Sequence, residues 1–138
     1  MTSSTSAPLI ETSGETYESG EFKTVVFSVK NDHQFRDDIV HAWETGESKG
    51  YAEHSFPTAE RLFDVISSKR WDILGVMAGA GELSIREVAR RVGRDVKAVH
   101  GDVIALLSNG VIDRGTSGKI IFPYDYFHLN ISNRRAAA

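Results

Sequence analysis

Two short amphipathic segments separated by a tight turn lie between Ser84 and Ile112, in the second half of the chain. Ser84 and Glu87 stand three residues apart, which is the spacing of a capping box, so a helix is predicted to begin there. Gly93 is expected to end this helix in the left-handed conformation, and Asp95 is expected to cap a second helix. Two short helices joined in this way are typical of a helix-turn-helix unit.

The second predicted helix is followed by a pattern of two short strands. The apolar residues of the helix recur at spacings of three and four: Val96, Val99, Val103, Leu106 and Leu107. Residues 111–114 and 119–122 are predicted strands around the four residues GTSG, a loop that suits a β-hairpin. A helix capped by Ser67 or Ser68 precedes the unit. The pattern therefore predicts a winged helix-turn-helix, in which the hairpin is the wing.

The first half of the chain alternates predicted strands and helices. The run KTVVFSV at residues 23–29 predicts a strand, and Asn31 or Asp32 can cap a helix that ends near Gly46. Residues 51–56 predict a second strand, and another helix follows it. Four apolar residues are expected to make the first of these helices amphipathic: Phe35, Ile39, Ala42 and Trp43.

These elements predict an α+β fold that is mainly α, in which a winged helix-turn-helix carries an N-terminal strand and helix extension. The predicted divisions are a flexible tail at 1–20, an extension for dimerisation or partner binding at 21–66, the winged helix-turn-helix at 67–131 and a second flexible tail at 132–138. Trp43 in the extension and Trp71 in the winged unit both stand at helical core spacing, so core packing is expected for both.

Charge is distributed unevenly along the 138 residues, whose formal net charge is −3. Residues 1–67 contain five Lys or Arg against twelve Asp or Glu, whereas residues 68–119 contain nine against six. An acidic half joined to a basic half indicates two tasks, and the basic half holds the predicted helix-turn-helix. The acidic half is compatible with a basic protein partner.

The composition excludes several classes of protein. Cysteine is absent, which excludes disulfides and thiolate metal sites. No apolar run approaches the roughly 18 residues that a membrane-spanning helix needs, and the N-terminus lacks the basic and apolar regions of a secretory signal. We therefore expect a cytoplasmic protein that does not bind membranes.

No arrangement of catalytic or metal-binding residues stands out in the sequence. The five histidines show no HExxH pair or other close metal spacing: His33, His41, His54, His100 and His128. The glycines of AGAGE at 78–82 follow a helix rather than a strand and lack the GxxxxGK pattern of a phosphate-binding loop. We expect no enzymatic activity, no catalytic residue, no metal site and no cofactor.

Basic residues are concentrated on the predicted helix-turn-helix, a unit whose second helix can enter the major groove of double-stranded DNA. Because the apolar residues of that helix must face the core, its opposite side is expected to face the groove: Lys97, Ala98, His100 and Gly101. Arg94, Lys97 and His100 are predicted to approach the bases. Five further residues are predicted to contact phosphates: Arg86, Arg90, Arg91, Arg114 and Lys119.

The segment from about Tyr51 to Leu129 resembles the HVO_A0114 family of winged-helix regulators, which are related in plan to MarR-type regulators. The matching pieces are SSKRWDIL at 67–74, LSIREVARRVGRDVKAVHGDV at 83–103, NGVI at 109–112 and IFPYDYFHLNI at 121–131. The resemblance implies sequence-specific DNA binding by a homodimer. It also implies a second role found among some relatives, that of the antitoxin of a toxin–antitoxin pair, which binds a toxin protein and represses its own operon.

Gly101 departs from the pattern of the resembled family, which usually has Arg at this position. A side chain expected to touch DNA is therefore missing, and Gly inside a helix costs up to about 1 kcal/mol of helix stability relative to Ala.

The sequence leaves two hypotheses about function. The first is a transcriptional regulator that binds DNA without catalysing a reaction, and the alternative is a winged-helix module for protein interaction that has little affinity for DNA.

Overall fold

The computed structural model describes residues 23–47 and 49–132. The predicted tail at 1–20 lies outside the described residues, and so does the predicted tail at 132–138 beyond Ser132. The helices are α1 (Asp32–Thr45), α2 (Ala59–Val65), α3 (Ser68–Met77), α4 (Ile85–Val92) and α5 (Val96–Ser108). The strands are β1 (Thr24–Val29), β2 (Ala52–Phe56), β3 (Asp113–Arg114), β4 (Ile120–Ile121) and β5 (Tyr126–Asn130). The fold is α+β, as predicted.

The structure confirms the predicted helix ends. The backbone amides and carbonyls at the end of a helix lack partners within the helix, and capping residues supply or replace these partners. The side chain of Asn31 accepts a hydrogen bond from the Gln34 amide at 2.8 Å, and the Gln34 side chain accepts one from the Asn31 amide at 2.9 Å. Gly46 and Gly93 end α1 and α4 in the left-handed conformation, with φ of 70° and 71°. Asp95 caps α5.

β1 is the central strand of a three-stranded parallel sheet with the order β2-β1-β5. Val25 of β1 is in register with Ala52 of β2 and with Phe127 of β5. The sequence patterns predict β1 and β2 but not β5, because β5 is stabilised by pairing with a strand at the other end of the chain, and local pattern does not encode such pairing. The sheet joins segments on both sides of the predicted division between residues 66 and 67.

One hydrophobic core connects this sheet to the helices. Val25 and Phe27 of β1 lie in the same buried cluster as residues from α2, α3, α4 and α5. Phe122, which follows β4, is 1% exposed, and its ring centroid lies 6.4 Å from that of Phe27 and 5.5 Å from that of Phe127. The Trp71 ring of α3 packs 4.5 Å from Phe127, which confirms the core packing predicted for this tryptophan.

Helix α1 is amphipathic, and Phe35, Ile39 and Ala42 on its apolar side line an open cavity that Tyr51 and Glu53 also line. None of its residues is buried, and Trp43 is 87% exposed, so the core packing predicted for Trp43 is wrong. The helix is held near β2 by ion pairs instead of apolar packing. Lys30 contacts Asp38 of α1 and Glu53 of β2, the latter at 2.7 Å, and Lys49 contacts the same two carboxylates.

Strands β3 and β4 form the predicted antiparallel hairpin, with Arg114 in register with Ile120. The loop between them runs from 115 to 119, one residue longer than predicted. Leu83, which precedes α4, adds to the hairpin through two backbone hydrogen bonds with Ile120, of 2.8 Å and 2.9 Å. The hairpin is thereby attached to the start of α4 by main-chain bonds.

We predict that stability falls as the pH drops below about 6.5, because of His54 on β2. Its ring lies 5.9 Å from Phe27 and 4.8 Å from Phe56, and burial lowers its pKa. The folded protein then binds a proton less readily than the unfolded chain, so acidification through this range favours unfolding. Urea unfolding at pH 7.5 and 5.5 should show this loss in the wild type, and His54→Phe should reduce it. An equal loss in both proteins would contradict the assignment.

Candidate nucleic-acid interface

Helix α5 is oriented by its buried side. Val99, Val103 and Leu106 are fully buried, and the four residues predicted to face outward are all exposed: Lys97, Ala98, His100 and Gly101. Val96 departs from the prediction, because it was grouped with the buried residues and is 42% exposed. Ile104 on the same helix is also 42% exposed. The outward surface of α5 therefore combines a lysine and a histidine with small and aliphatic side chains.

Gly101 lies on this exposed side of α5 and is not required by packing. A Cβ atom built at Gly101 would meet nothing within 4 Å, and the residue is helical. The fold would thus accept a side chain here. Because Gly101 has no side chain, the backbone of α5 is accessible at this residue, and a partner can approach it closely.

Two backbone amides in the first turn of α5 already donate hydrogen bonds to Asp95, the residue that caps the helix. The carboxylate of Asp95 accepts hydrogen bonds from the amides of Lys97 at 3.0 Å and Ala98 at 3.4 Å. Helix N-termini attract phosphate through such amides. A phosphate at this end of α5 would therefore have to share these donors with Asp95, and the Lys97 side chain is the more accessible group.

The side chain of Arg94, which precedes α5, is not free to contact a partner, because it forms an ion pair with Asp102 of α5. The Nη2 atom lies 2.9 Å from Oδ2 of Asp102, and the Arg94 side chain is only 23% exposed. Arg70 of α3 donates from Nε to the other carboxylate oxygen at 3.0 Å. The predicted contact of Arg94 with bases stays a prediction, and it requires this ion pair to open.

The Arg70–Asp102–Arg94 cluster ties α5 to α3 and to the turn before α5. Burial alone would raise the pKa of Asp102, but the hydrogen bond from Arg70 and the nearby charge of Arg94 outweigh it and lower the pKa. Arg70 also donates to the backbone carbonyls of Asp64 at 3.0 Å and Val65 at 3.2 Å at the end of α2. The cluster therefore fixes the position of α5 relative to two other helices.

The arginines of α4 are partly neutralised within the helix. The Glu87 carboxylate accepts hydrogen bonds from Arg90 and from Arg91, the latter at 2.8 Å, and these bonds lower its pKa to about 2. Glu87 therefore does not return a bond to its cap, Ser84, although Ser84 accepts one from the Glu87 amide at 3.1 Å. Arg86 is exposed and forms no ion pair within the described part of the chain.

The hairpin carries the last two predicted phosphate contacts on its exposed surface. Arg114 donates to the Gly118 carbonyl at 3.2 Å, and Lys119 is exposed. The loop between them is held by Glu82, whose carboxylate accepts hydrogen bonds from the Ser117 amide at 3.1 Å and from the Ser117 hydroxyl. These hydrogen bonds restrain the tip, and they place the Glu82 carboxylate against the loop that separates the two cations.

The eight predicted contacts thus fall into two sets. Arg90, Arg91 and Arg94 are paired with carboxylates, while the other five form no ion pair among the described residues: Arg86, Lys97, His100, Arg114 and Lys119. Within residues 23–47 and 49–132, no group of three His, Asp or Glu side chains could hold a metal ion. No helix in the same part of the chain has the length and apolar character needed to cross a membrane.

The sequence reasoning missed Asp102 and Glu82, the two acids that shape this surface. Asp102 lies three residues after Val99 and four before Leu106, so it borders the buried side of α5. A carboxylate at such a position needs a cationic partner, and this signal could have identified the ion pair. The contact between Glu82 and the hairpin tip depends on tertiary structure and has no comparable local signal.

Comparison with known proteins adds one match. The sequence model of the protein family HVO_A0114 matches residues 65–129, which is just under half of the chain. The match covers α3, α4, α5 and the hairpin, and it supports the resemblance from residue 65 onward but not from Tyr51. No curated protein and no solved structure matches the chain.

Asp102→Asn is expected to destabilise the fold by about 1.5–3 kcal/mol, because two partly buried arginines lose their charged acceptor. The folded protein lowers the pKa of Asp102, so its contribution is present above the unfolded value near 3.9 and is lost as the pH falls below it. Thermal unfolding at neutral pH measures the loss.

The matched control is Asp72→Asn, since Asp72 is exposed on α3 and forms no ion pair with any described residue. This change is expected to alter the unfolding free energy by no more than about 0.5 kcal/mol. If both variants unfolded at the wild-type temperature, the cluster around Asp102 would not hold α5 in place.

Proposed function

We propose that this protein is a sequence-specific DNA-binding transcriptional regulator, in which α4, the following turn and α5 form a helix-turn-helix and the β3–β4 hairpin is its wing. The observation that carries the proposal is the outward side of α5. Lys97 and His100 are exposed there while Val99 and Val103 beneath them are fully buried. A helix that is anchored on one side and open on the other has the width to enter a major groove.

The outward side of α5 offers two kinds of contact with base edges. Lys97 can donate to the acceptors of guanine, and the methyl groups of Val96 and Ala98 suit the methyl group of thymine. His100 can donate or accept, depending on its tautomer. Because Gly101 adds no side chain, the helix can approach the base pairs closely, and specificity then rests on few residues.

The remaining cations would position the protein on the phosphate backbone. Arg86, Arg114 and Lys119 have no carboxylate partner among the described residues, so they can bind phosphate directly. Arg90 and Arg91 share Glu87, and a phosphate would have to compete with that carboxylate. Binding to arbitrary DNA is therefore expected to be weak, since nonspecific affinity comes mainly from free cations on phosphates.

We predict that Lys97→Ala and His100→Ala, combined in one variant, lower the affinity for DNA from the gene's own upstream region by about tenfold or more. Both residues are exposed and unpaired with acids in the described structure, so the fold should be unaffected. Arg94 is avoided because its removal would disturb Asp102. Fluorescence anisotropy at several salt concentrations measures the affinity. The slope of log K against log salt should stay close to that of the wild type if both residues contact bases, whereas the loss of one phosphate contact would reduce it by about 1.

Lys23→Ala is the charge-matched control, because Lys23 is exposed and precedes β1, outside the helix-turn-helix. It should bind as the wild type does. Absence of binding by the wild type at low salt would refute the regulator. If the double variant bound DNA with the wild-type affinity, DNA would have to contact a surface other than α5.

The second candidate is a protein-interaction module. The observation that favours it is the aliphatic part of the α5 surface, where Ile104 is 42% exposed one turn after Gly101 and Val96 is 42% exposed at the start of the helix. The autorepressing antitoxin combines both functions, because such a protein binds its operator and a toxin. A small gene for a toxin beside this one, and co-purification of the two products, would distinguish the antitoxin from a regulator that acts alone.

A further inference from the structure

An open cavity lies between α1 and the side of the sheet that carries Glu53. Its volume is about 490 Å³, which falls within the roughly 300–1,000 Å³ of sites that hold small molecules. All of its lining residues lie between Lys30 and Glu53. The cavity is therefore separate from α4, α5 and the hairpin, and also from the segment 65–129 that the family model matches.

The wall that α1 contributes to this cavity is apolar and only partly covered. Phe35, Ile39 and Ala42 stand at spacings of four and three, so they lie on one side of the helix. Phe35 and Ile39 are nevertheless 51% and 53% exposed. The opposite wall offers one ring, that of Tyr51, and otherwise charged side chains. An apolar ligand that entered the cavity would remove this exposed surface from water, which is favourable.

The charged groups of the cavity leave an excess of one negative charge when the histidine that also lines it is neutral. Two ammonium groups and three carboxylates line the cavity: Lys30, Lys49, Asp38, Glu47 and Glu53. A ligand with one positive charge would balance these groups, whereas an anion would add to the excess.

Glu53 already engages both lysines. Its Oε2 atom lies 2.7 Å from Nζ of Lys30 and accepts a hydrogen bond of 2.7 Å from the Ser28 hydroxyl, and its Oε1 atom accepts one from Lys49. Burial alone would raise the pKa of Glu53, but these bonds lower it to about 2. An anionic ligand would have to displace Glu53 before it could bind the two ammonium groups.

Asp38 is the carboxylate that has an acceptor available. Its Oδ2 atom contacts the two lysines, and its Oδ1 atom forms no hydrogen bond or ion pair with any described residue. The Asp38 side chain is 46% exposed, so a ligand can reach it. Phe35 and Tyr51 line the same cavity, and the face of an aromatic ring attracts a cation. The available groups therefore suit an ammonium group.

We infer that this cavity is a binding site for a protonated organic amine with an aromatic or other apolar body. The ammonium group donates to Oδ1 of Asp38, and the apolar body lies against Phe35, Ile39 and the ring of Tyr51. The inference does not rest on DNA binding. If the proposed regulator is correct, an amine of this class would be its effector.

Three probes of similar size and different charge test the inference: 2-phenylethylammonium, neutral 2-phenylethanol and the anion 3-phenylpropionate. NMR of the backbone amides of the full isotope-labelled chain, without DNA, measures both the affinity and the location of binding. At pH 7.5 an ordinary histidine is mostly neutral. The cation is expected to bind with a dissociation constant of about 1 mM, as its small size allows, and the anion at least about tenfold more weakly. The largest changes should fall in residues 30–53.

Asp38→Asn should lower the affinity for the cation by about tenfold and leave the affinity for 2-phenylethanol within about twofold, because it removes only the charged acceptor. The matched control is Glu44→Gln, since Glu44 is exposed on α1, forms no ion pair with any described residue and does not line the cavity. This control should bind all three probes as the wild type does. Ile39→Trp should weaken the cation severalfold, because the larger side chain fills part of the cavity.

The inference would be overturned if the cation at about 10 mM caused no change in residues 30–53, or if the anion bound at least as tightly. An Asp38→Asn variant that keeps the preference for the cation would overturn it too. If that variant lost both the cation and 2-phenylethanol, Asp38 would hold α1 in place and would not receive the ligand. Unchanged binding of the cation by Ile39→Trp would locate it outside the cavity.

These outcomes are independent of the proposed function, because no probe experiment includes DNA. A protein that binds its DNA but not the amine refutes only the cavity site. A protein that binds the amine but no DNA refutes only the regulator.

Discussion

Burial of one side of α5 is the constraint on which the rest of the structure depends. Val99, Val103 and Leu106 are fully buried, and burying an aliphatic side chain contributes roughly 1.5–3 kcal/mol. Rotation of the helix about its axis would expose all three. The helical repeat then leaves Lys97 on the opposite side of the helix and His100 at the edge of the exposed side, three residues before Val103. The outward surface is therefore a consequence of the core.

Ion pairs decide which of the cations near α5 are available to a partner. Arg70 and Arg94 serve the fold by holding Asp102, and Glu87 occupies Arg90 and Arg91. The basic character of this half of the chain is thus partly neutralised within the protein. A partner that binds here can contact only the few cations that are not paired with carboxylates. This favours binding to one DNA sequence over nonspecific attraction to any polyanion.

The sequence could predict what local chemistry decides. Ser84, Gly93 and Asp95 marked helix ends because capping groups act within a few residues. It could not predict β5, the ion pair of Arg94, or the exposure of Trp43, because each depends on what lies nearby in the folded chain. The apolar spacing of α1 correctly indicated an amphipathic helix, but the same spacing suits a core and an interface between molecules.

We propose that the outward side of α5, together with the hairpin tip, is the surface that contacts DNA. The most direct measurement is a titration of the isotope-labelled protein with duplex DNA from its own upstream region, followed by NMR of the backbone amides. We predict that the largest changes fall in residues 96–104 of α5 and 115–119 of the hairpin. Changes confined to α1 and β2, or no change at low salt, would contradict the account.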